Sequence, residues 1–227
     1  MTTIIGIQGD SYAVICADSR VTEVDSDGKA TQSMSLKEIG FKIAQNGRYL
    51  MGVAGDVRAI NILTHSFNPP TPPITLKGRK LDHFITTKFI PSMRQCFDAE
   101  GYSSPITENS EHQSEHSSIV MVAINGTIYV VDGDYSWLSD SFGVYAIGSG
   151  AQFALGSLAT AIPTGGKVGL RTAKLAALKA IAVAGRYDPA TAAPYQAIIQ
   201  ETPQRKVRKS KKVVKKAVAK KKVPTTR

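Results

Sequence analysis

Apolar residues along this chain fall into two textures: short, nearly unbroken runs and longer segments spaced at helical intervals. Residues 2–8 and 12–17 are rich in Ile, Val, Ala and Tyr and are separated by Gly9-Asp10-Ser11. That pattern predicts a hairpin of two strands. Phe41–Ala44 and Arg48–Ala54 flank Gln45-Asn46-Gly47 and predict a second hairpin, so four strands are expected early. Between them, residues 22–38 are polar with a turn signal at Asp27-Gly28. Strands are expected again at 118–124 and 127–131 around Asn125-Gly126, at 143–147, and at Tyr195–Gln200.

Helical spacing appears between these strand groups. Asp56 is placed to cap a helix over about 57–66, with Val57, Ile60, Leu63 and Thr64 on one face. The stretch NPPTPPITLKG (68–78) must be loop, because its prolines lack a backbone donor. Leu81, Phe84, Ile85, Phe89, Met93, Cys96 and Phe97 then recur at helical spacing, with a kink expected at Pro91. Residues 101–116 read as a polar surface loop. Gly148-Ser149-Gly150 precedes a helix through about 159, and the Ala- and Leu-rich segment 167–185 predicts another. Strands, two helices, strands, two helices and a last strand favour an α+β fold with sheets inside and helices outside.

Charge divides the chain in two. Of 28 basic residues, twelve lie in 204–227, which contains no acid; sixteen remain against eighteen acids, leaving residues 1–203 at −2. The expected organisation is a nearly neutral domain over 1–203 and a disordered Lys/Arg-rich tail over 204–227. Such a tail suits non-specific binding to nucleic acid through its phosphates, and it has no aromatic residue to stack on bases. The longest apolar runs fall short of the ~20 residues of a membrane span, so no membrane association is expected. The opening Met-Thr-Thr lacks the basic and apolar segments of a secretory leader. Cys16 and Cys96 read as two separate thiols, and together these features point to a cytoplasmic setting. His65, His83, His112 and His116 make no metal set; His112 and His116 are read as a surface pair. No cofactor is expected. Trp137 falls in a loop between strands, as a partner contact or a local packing residue.

The candidate chemistry sits at the start. A threonine hydroxyl is a weak nucleophile without a base. A threonine exposed as the first residue carries its own base, an α-amine with a reference pKa of about 7.7–8.0. Thr2 would become that residue on removal of Met1. Asp18-Ser19-Arg20 ends the second strand, which pairs back on the first, so Asp18 can approach residue 2 and hold a nearby cation. The opposing reading is an ordinary acid at a strand end.

These residues resemble a known family. TTIIGIQGDSYAVICADSRVT is similar to the start of a proteasome β-subunit, an N-terminal nucleophile hydrolase. KIAQNGRYLMGVAGDV (42–57), IGSGAQFALGSL (147–158) and RYDPATA (186–192) resemble later segments of the family in the same order, covering roughly residues 2–200. The resemblance implies a four-layer αββα sandwich and a threonine-type endopeptidase acting on peptide or unfolded protein. It further implies a homo-oligomeric ring, with an ATPase unfoldase as a possible feeder. It makes Thr2 the nucleophile, Asp18 the residue orienting a lysine, and Arg20 a supporting residue. Lys42 fits the lysine position, with Lys37 as competitor; on one strand the two would face opposite ways. Gly55 would supply the oxyanion N–H. Ser149, Asp188 and Thr191 would complete the site, with Gly150 supporting. Val21, Val53 and Val57 would line the substrate pocket, or simply belong to the core.

The chain departs from the family at Thr191 and Ala192, where serine and glycine are usual. Thr191 keeps a hydroxyl, whereas Ala192 would be strained if that position needed a positive φ. This departure supports a second reading, a weak or inactive scaffold tethered to nucleic acid by its tail. A third keeps the nucleophile but gives it a small amide as substrate.

Overall fold

The computed structural model describes residues 2–26, 30–35, 42–103, 116–163 and 168–202. Eleven strands among these form two antiparallel sheets and one ribbon. The first sheet has the order β10 (Val144–Gly148), β1 (Thr3–Gln8), β2 (Tyr12–Ala17), β11 (Gln196–Glu201). The second has the order β5 (Ile43–Asn46), β6 (Tyr49–Ala54), β7 (Ile119–Ile124), β8 (Thr127–Val131), β9 (Trp137–Leu138). The ribbon pairs β3 (Arg20–Val24) with β4 (Ala30–Ser35).

Alternation along the strands distributes their side chains among three apolar layers. Ile4, Ile15, Leu50, Met121 and Ile147 fill the space between the two sheets. Ile5, Ile7, Val14 and Cys16 point the other way, onto α4 (Ala151–Ala161) and α5 (Leu170–Tyr187). Tyr49, Met51, Val120 and Val122 point onto α1 (Val57–His65) and the helical segment that follows. The result is the αββα sandwich expected from the sequence. Because both faces of each sheet are covered, the strands read as continuous apolar runs. The two cysteines are free; Cys16 is buried under α5, and Cys96 packs at the opposite outer layer.

The second helical segment solves a geometric problem. Leu81, Ile85, Phe89, Met93 and Phe97 are all fully buried, a strict four-residue repeat. At 3.6 residues per turn such a stripe drifts by about 40° at each step. The chain passes from α2 (Arg79–Phe84) through a π-helical turn (Ile85–Phe89) into α3 (Ile90–Ala99). The wider turn keeps the stripe against the sheet. It lies just ahead of Pro91, where the sequence predicts a kink.

Several expectations change. The polar stretch 22–38 contains most of the β3–β4 ribbon, making six early strands rather than four. All of Thr31–Ser35 is exposed, so pairing without burial leaves no apolar alternation to detect. In α1, Asp56 is the cap, its Oδ1 accepting the Arg58 N–H at 2.8 Å. The buried face, however, is Ala59, Ile60, Ile62 and Leu63; Val57 and Thr64 are exposed. His116 is no surface residue. It is 3% exposed and meets Phe97 and Tyr135 edge-on at 5.2 and 4.8 Å, because the chain runs through the core there on its way into β7. His112 and Lys37 lie outside the described residues. Trp137 packs locally, edge-on to Tyr129 at 5.2 Å, with Nε1 donating to Thr86 Oγ1 at 3.1 Å. Among the described residues no helix is long and apolar enough to cross a membrane.

Candidate active site

The β1–β2 hairpin returns the chain to its own beginning. Ile4 lies opposite Ala17, so Asp18 arrives beside Thr3: its N–H donates to Thr3 O at 3.3 Å, and the Thr3 N–H donates to Asp18 Oδ1 at 3.1 Å. The Asp18 carboxylate is thereby fixed one residue from Thr2. Its Oδ1 also accepts from Lys42 Nζ at 2.7 Å, while Oδ2 accepts the N–H groups of Arg20 and Ala192 at 2.9 and 3.3 Å. Lys42 donates in addition to the Arg20 carbonyl. Asp18 is 3% and Lys42 5% exposed. Burial pushes the Lys42 amine below its ordinary 10.5, against the opposing pull of Asp18 and, more weakly, Asp188.

A second polar group closes on Thr2 and Thr3 from the other side. Asp188 ends α5, and its Oδ2 accepts from Ser149 Oγ at 2.8 Å and Thr191 Oγ1 at 2.6 Å. Its Oδ1 accepts the Ala190 N–H at 3.1 Å. Ser149 Oγ also reaches Thr2 O at 3.4 Å, and Thr191 Oγ1 meets Thr3 Oγ1 at 2.5 Å. Hydroxyls and one carboxylate thus connect the first two threonines. Gly150 packs against this cluster; a Cβ there would lie 2.2 Å from Thr3 Oγ1. Arg20 joins the two halves, with Nη1 donating to Pro189 O at 2.6 Å.

The departure at 191–192 is accommodated. Thr191 makes the hydroxyl contacts described, and Ala192 is not among the positive-φ residues. Its backbone serves the site directly, donating to Asp18 and accepting the Ser19 N–H at 3.2 Å.

Thr2, Lys42 and Gly55 open together onto a pocket of about 390 Å³. Val21, Val53 and Val57 are among its walls, with Ile60, and Met34 from the ribbon. Glu23 and Asp56 add two carboxylates to its lining. Gly55 has φ of 133°, a conformation suited to glycine. A hydroxyl, a buried amine and a glycine turn thus face one apolar recess, groups of the kind that acyl transfer can use. Sequence reasoning did not pick out Thr3, Met34 or the Ala192 backbone. The Thr-Thr opening is the one sequence signal that bears on Thr3.

No protein-family model matches the chain, and no curated protein matches it significantly. Solved structures do resemble it, and their fold is that of the proteasome-type N-terminal nucleophile hydrolases. Thiobacillus denitrificans BPH gives a TM-score of 0.61 at 18% identity, covering 88% of this chain and 98% of that one. The same protein in complex with epoxomicin gives 0.60 at 18% identity, covering 89% and 100%. Eukaryotic HslV from Trypanosoma brucei gives 0.55 at 18% identity, covering 88% and 99%.

Proposed function

We propose that this chain is a threonine-type peptidase of the proteasome-β kind, with Thr2 as nucleophile once Met1 is removed. The observation that supports this most is the joint opening of Thr2, Lys42 and Gly55 onto one apolar pocket, with Lys42 held by Asp18 at 2.7 Å. In the reaction, Thr2 Oγ attacks the scissile carbonyl and its proton passes to the Thr2 α-amine. The carbonyl oxygen, now an oxyanion, takes the Gly55 N–H, a contact that typically contributes about 3 kcal/mol to the transition state. Collapse breaks the C–N bond, and the ammonium returns its proton to the leaving amine. Water then attacks the Thr2 ester, gives a proton to the α-amine, and releases the acid with the hydroxyl restored. Lys42, as a cation near that amine, favours its neutral form. Asp188 with Ser149 and Thr191 holds the Thr2 carbonyl and the Thr3 hydroxyl.

The pocket lining fits a modest apolar side chain before the scissile bond. On the likeness to proteasome-type structures, the working form is a homo-oligomeric ring, with an ATPase unfoldase as its feeder and unfolded protein as substrate. Light scattering of the purified protein tests the ring. Hydrolysis of a fluorogenic peptide with an apolar residue before the reporter tests the activity. It should be abolished in Thr2→Ala and largely kept in Thr2→Ser; equal turnover by Thr2→Ala would refute the reading.

A second reading concerns residues 204–227, whose twelve positive charges contrast with the −2 of the rest. They form a non-specific contact to nucleic-acid phosphates, and this would hold even for a catalytically weak scaffold. β11 runs from Gln196 opposite Ala17 to Glu201 opposite Tyr12, so this strand ends away from Thr2. Retention of a duplex should fall steeply with salt and disappear when the twelve residues are changed to Gln. Salt-insensitive binding would count against it.

A further inference from the structure

Gly55 is central to the proposed reaction, yet a glycine does not hold its own conformation. Something outside the turn must fix it at φ of 133°. The turn rests on the residues that lead into β7: a Cβ on Gly55 would lie 2.6 Å from Ser118 Oγ and 2.7 Å from Ser117 O. Ser118 is 1% exposed. Its Oγ accepts the Asp56 N–H at 3.0 Å, which pins the peptide joining Gly55 to Asp56. The same oxygen shares a hydrogen bond of 2.8 Å with the Tyr102 hydroxyl. Behind it, the Ser118 N–H donates to Nδ1 of His116 at 3.3 Å, and that ring is held among Phe97, Tyr102 and Tyr135. On its other side, Asp56 is held as the cap of α1. The turn is therefore clamped between a helix start and a buried serine. Neither Ser118 nor Tyr102 lines the pocket.

We propose that Ser118 is a positioning residue for the oxyanion turn, with Tyr102 behind it holding the serine hydroxyl in place. The inference rests on the peptidase reading above. Ser118 acts through the Gly55–Asp56 peptide and touches no substrate, so its loss weakens the transition state and leaves ground-state binding alone.

The test uses the full chain and the same fluorogenic peptide. Outright loss of an oxyanion donor costs roughly 10²–10³ in kcat, so loosening one should cost about tenfold in Ser118→Ala, with KM within about twofold. Tyr102→Phe keeps the ring and should cost about threefold, and the double variant should be no slower than Ser118→Ala, because the two act in series. Adduct formation with epoxomicin should slow by the same factor as kcat. If Ser118→Ala folds poorly, Tyr102→Phe and its epoxomicin rate carry the test. Unchanged kcat in both variants, or effects that multiply in the double variant, overturn the inference while the peptidase reading stands. Absence of any Thr2-dependent turnover or adduct in the wild type overturns both.

Discussion

Asp18 and Asp188 are two buried carboxylates on opposite sides of the first two threonines, and they are satisfied by different chemistry. Asp18, 3% exposed, is paired with a lysine and takes three backbone N–H groups. Asp188, 6% exposed, takes two hydroxyls and one N–H, with no salt bridge at its oxygens among the described residues. Coulombic pairing fixes a cation in a place where water would otherwise be needed to solvate it. Hydroxyl pairing fixes backbone and side-chain oxygens without adding a second charge. One side of the site therefore sets the local potential, and the other sets the position of the chain's start.

The largest contrast should come from neutralising each acid. Asp18→Asn leaves the Lys42 ammonium buried without its partner, a change that typically costs about 3–5 kcal/mol. Urea unfolding at fixed protein concentration should register that loss, together with a fall in peptidase rate. Asp188→Asn can still accept from hydroxyls, so its cost should be nearer about 1–3 kcal/mol. Equal losses would break the distinction between the two sides.

A pH series sharpens it. Lys42 titrates below its unfolded value of 10.5 in the folded protein, chiefly through burial. Between the lowered value and 10.5 the unfolded chain binds more protons, so this group's contribution to stability rises with pH across that window. On the proposed mechanism, activity should fall over the same window, since the Lys42 cation assigned to keep the Thr2 amine neutral is being lost. Asp18 opposes the lowering more than Asp188 does. The alkaline limb of kcat/KM should therefore move further down in Asp18→Asn than in Asp188→Asn. An alkaline limb at or above 10.5 would contradict this assignment.

The smallest effect tests the hydroxyl side alone. Thr191→Val keeps the shape and removes the contacts to Thr3 and Asp188, and should cost about 1 kcal/mol. Thr191→Ser should recover most of it in the same unfolding measurement.

What the sequence made legible follows from where burial writes a pattern. The two-sided strands, the Asn-Gly turns and the order of helices were readable because apolar runs and φ > 0 residues leave local signatures. The β3–β4 ribbon left none, because its pairing requires no apolar face. His116 was misread because its sequence neighbours are polar while its spatial neighbours are Phe97, Tyr102 and Tyr135. Within the site, Thr2 and Asp18 stood out by their chemistry and position in the first hairpin, and Gly55 through resemblance. Lys42 Nζ lies 2.7 Å from Asp18, a contact that no sequence spacing announces, while Lys37 lies outside the described residues. Thr3 and Ser118 were out of reach, since Ser and Thr are common and only their contacts distinguish them.

The central claim is that Thr2 is the nucleophile, and mass spectrometry of the full chain treated with epoxomicin tests it most directly. That epoxyketone requires a hydroxyl and a free amine on the same residue to form its morpholine ring. The account predicts protein lacking Met1 and carrying one adduct on Thr2, absent from Thr2→Ala. Protein that retains Met1 and takes no adduct would contradict it.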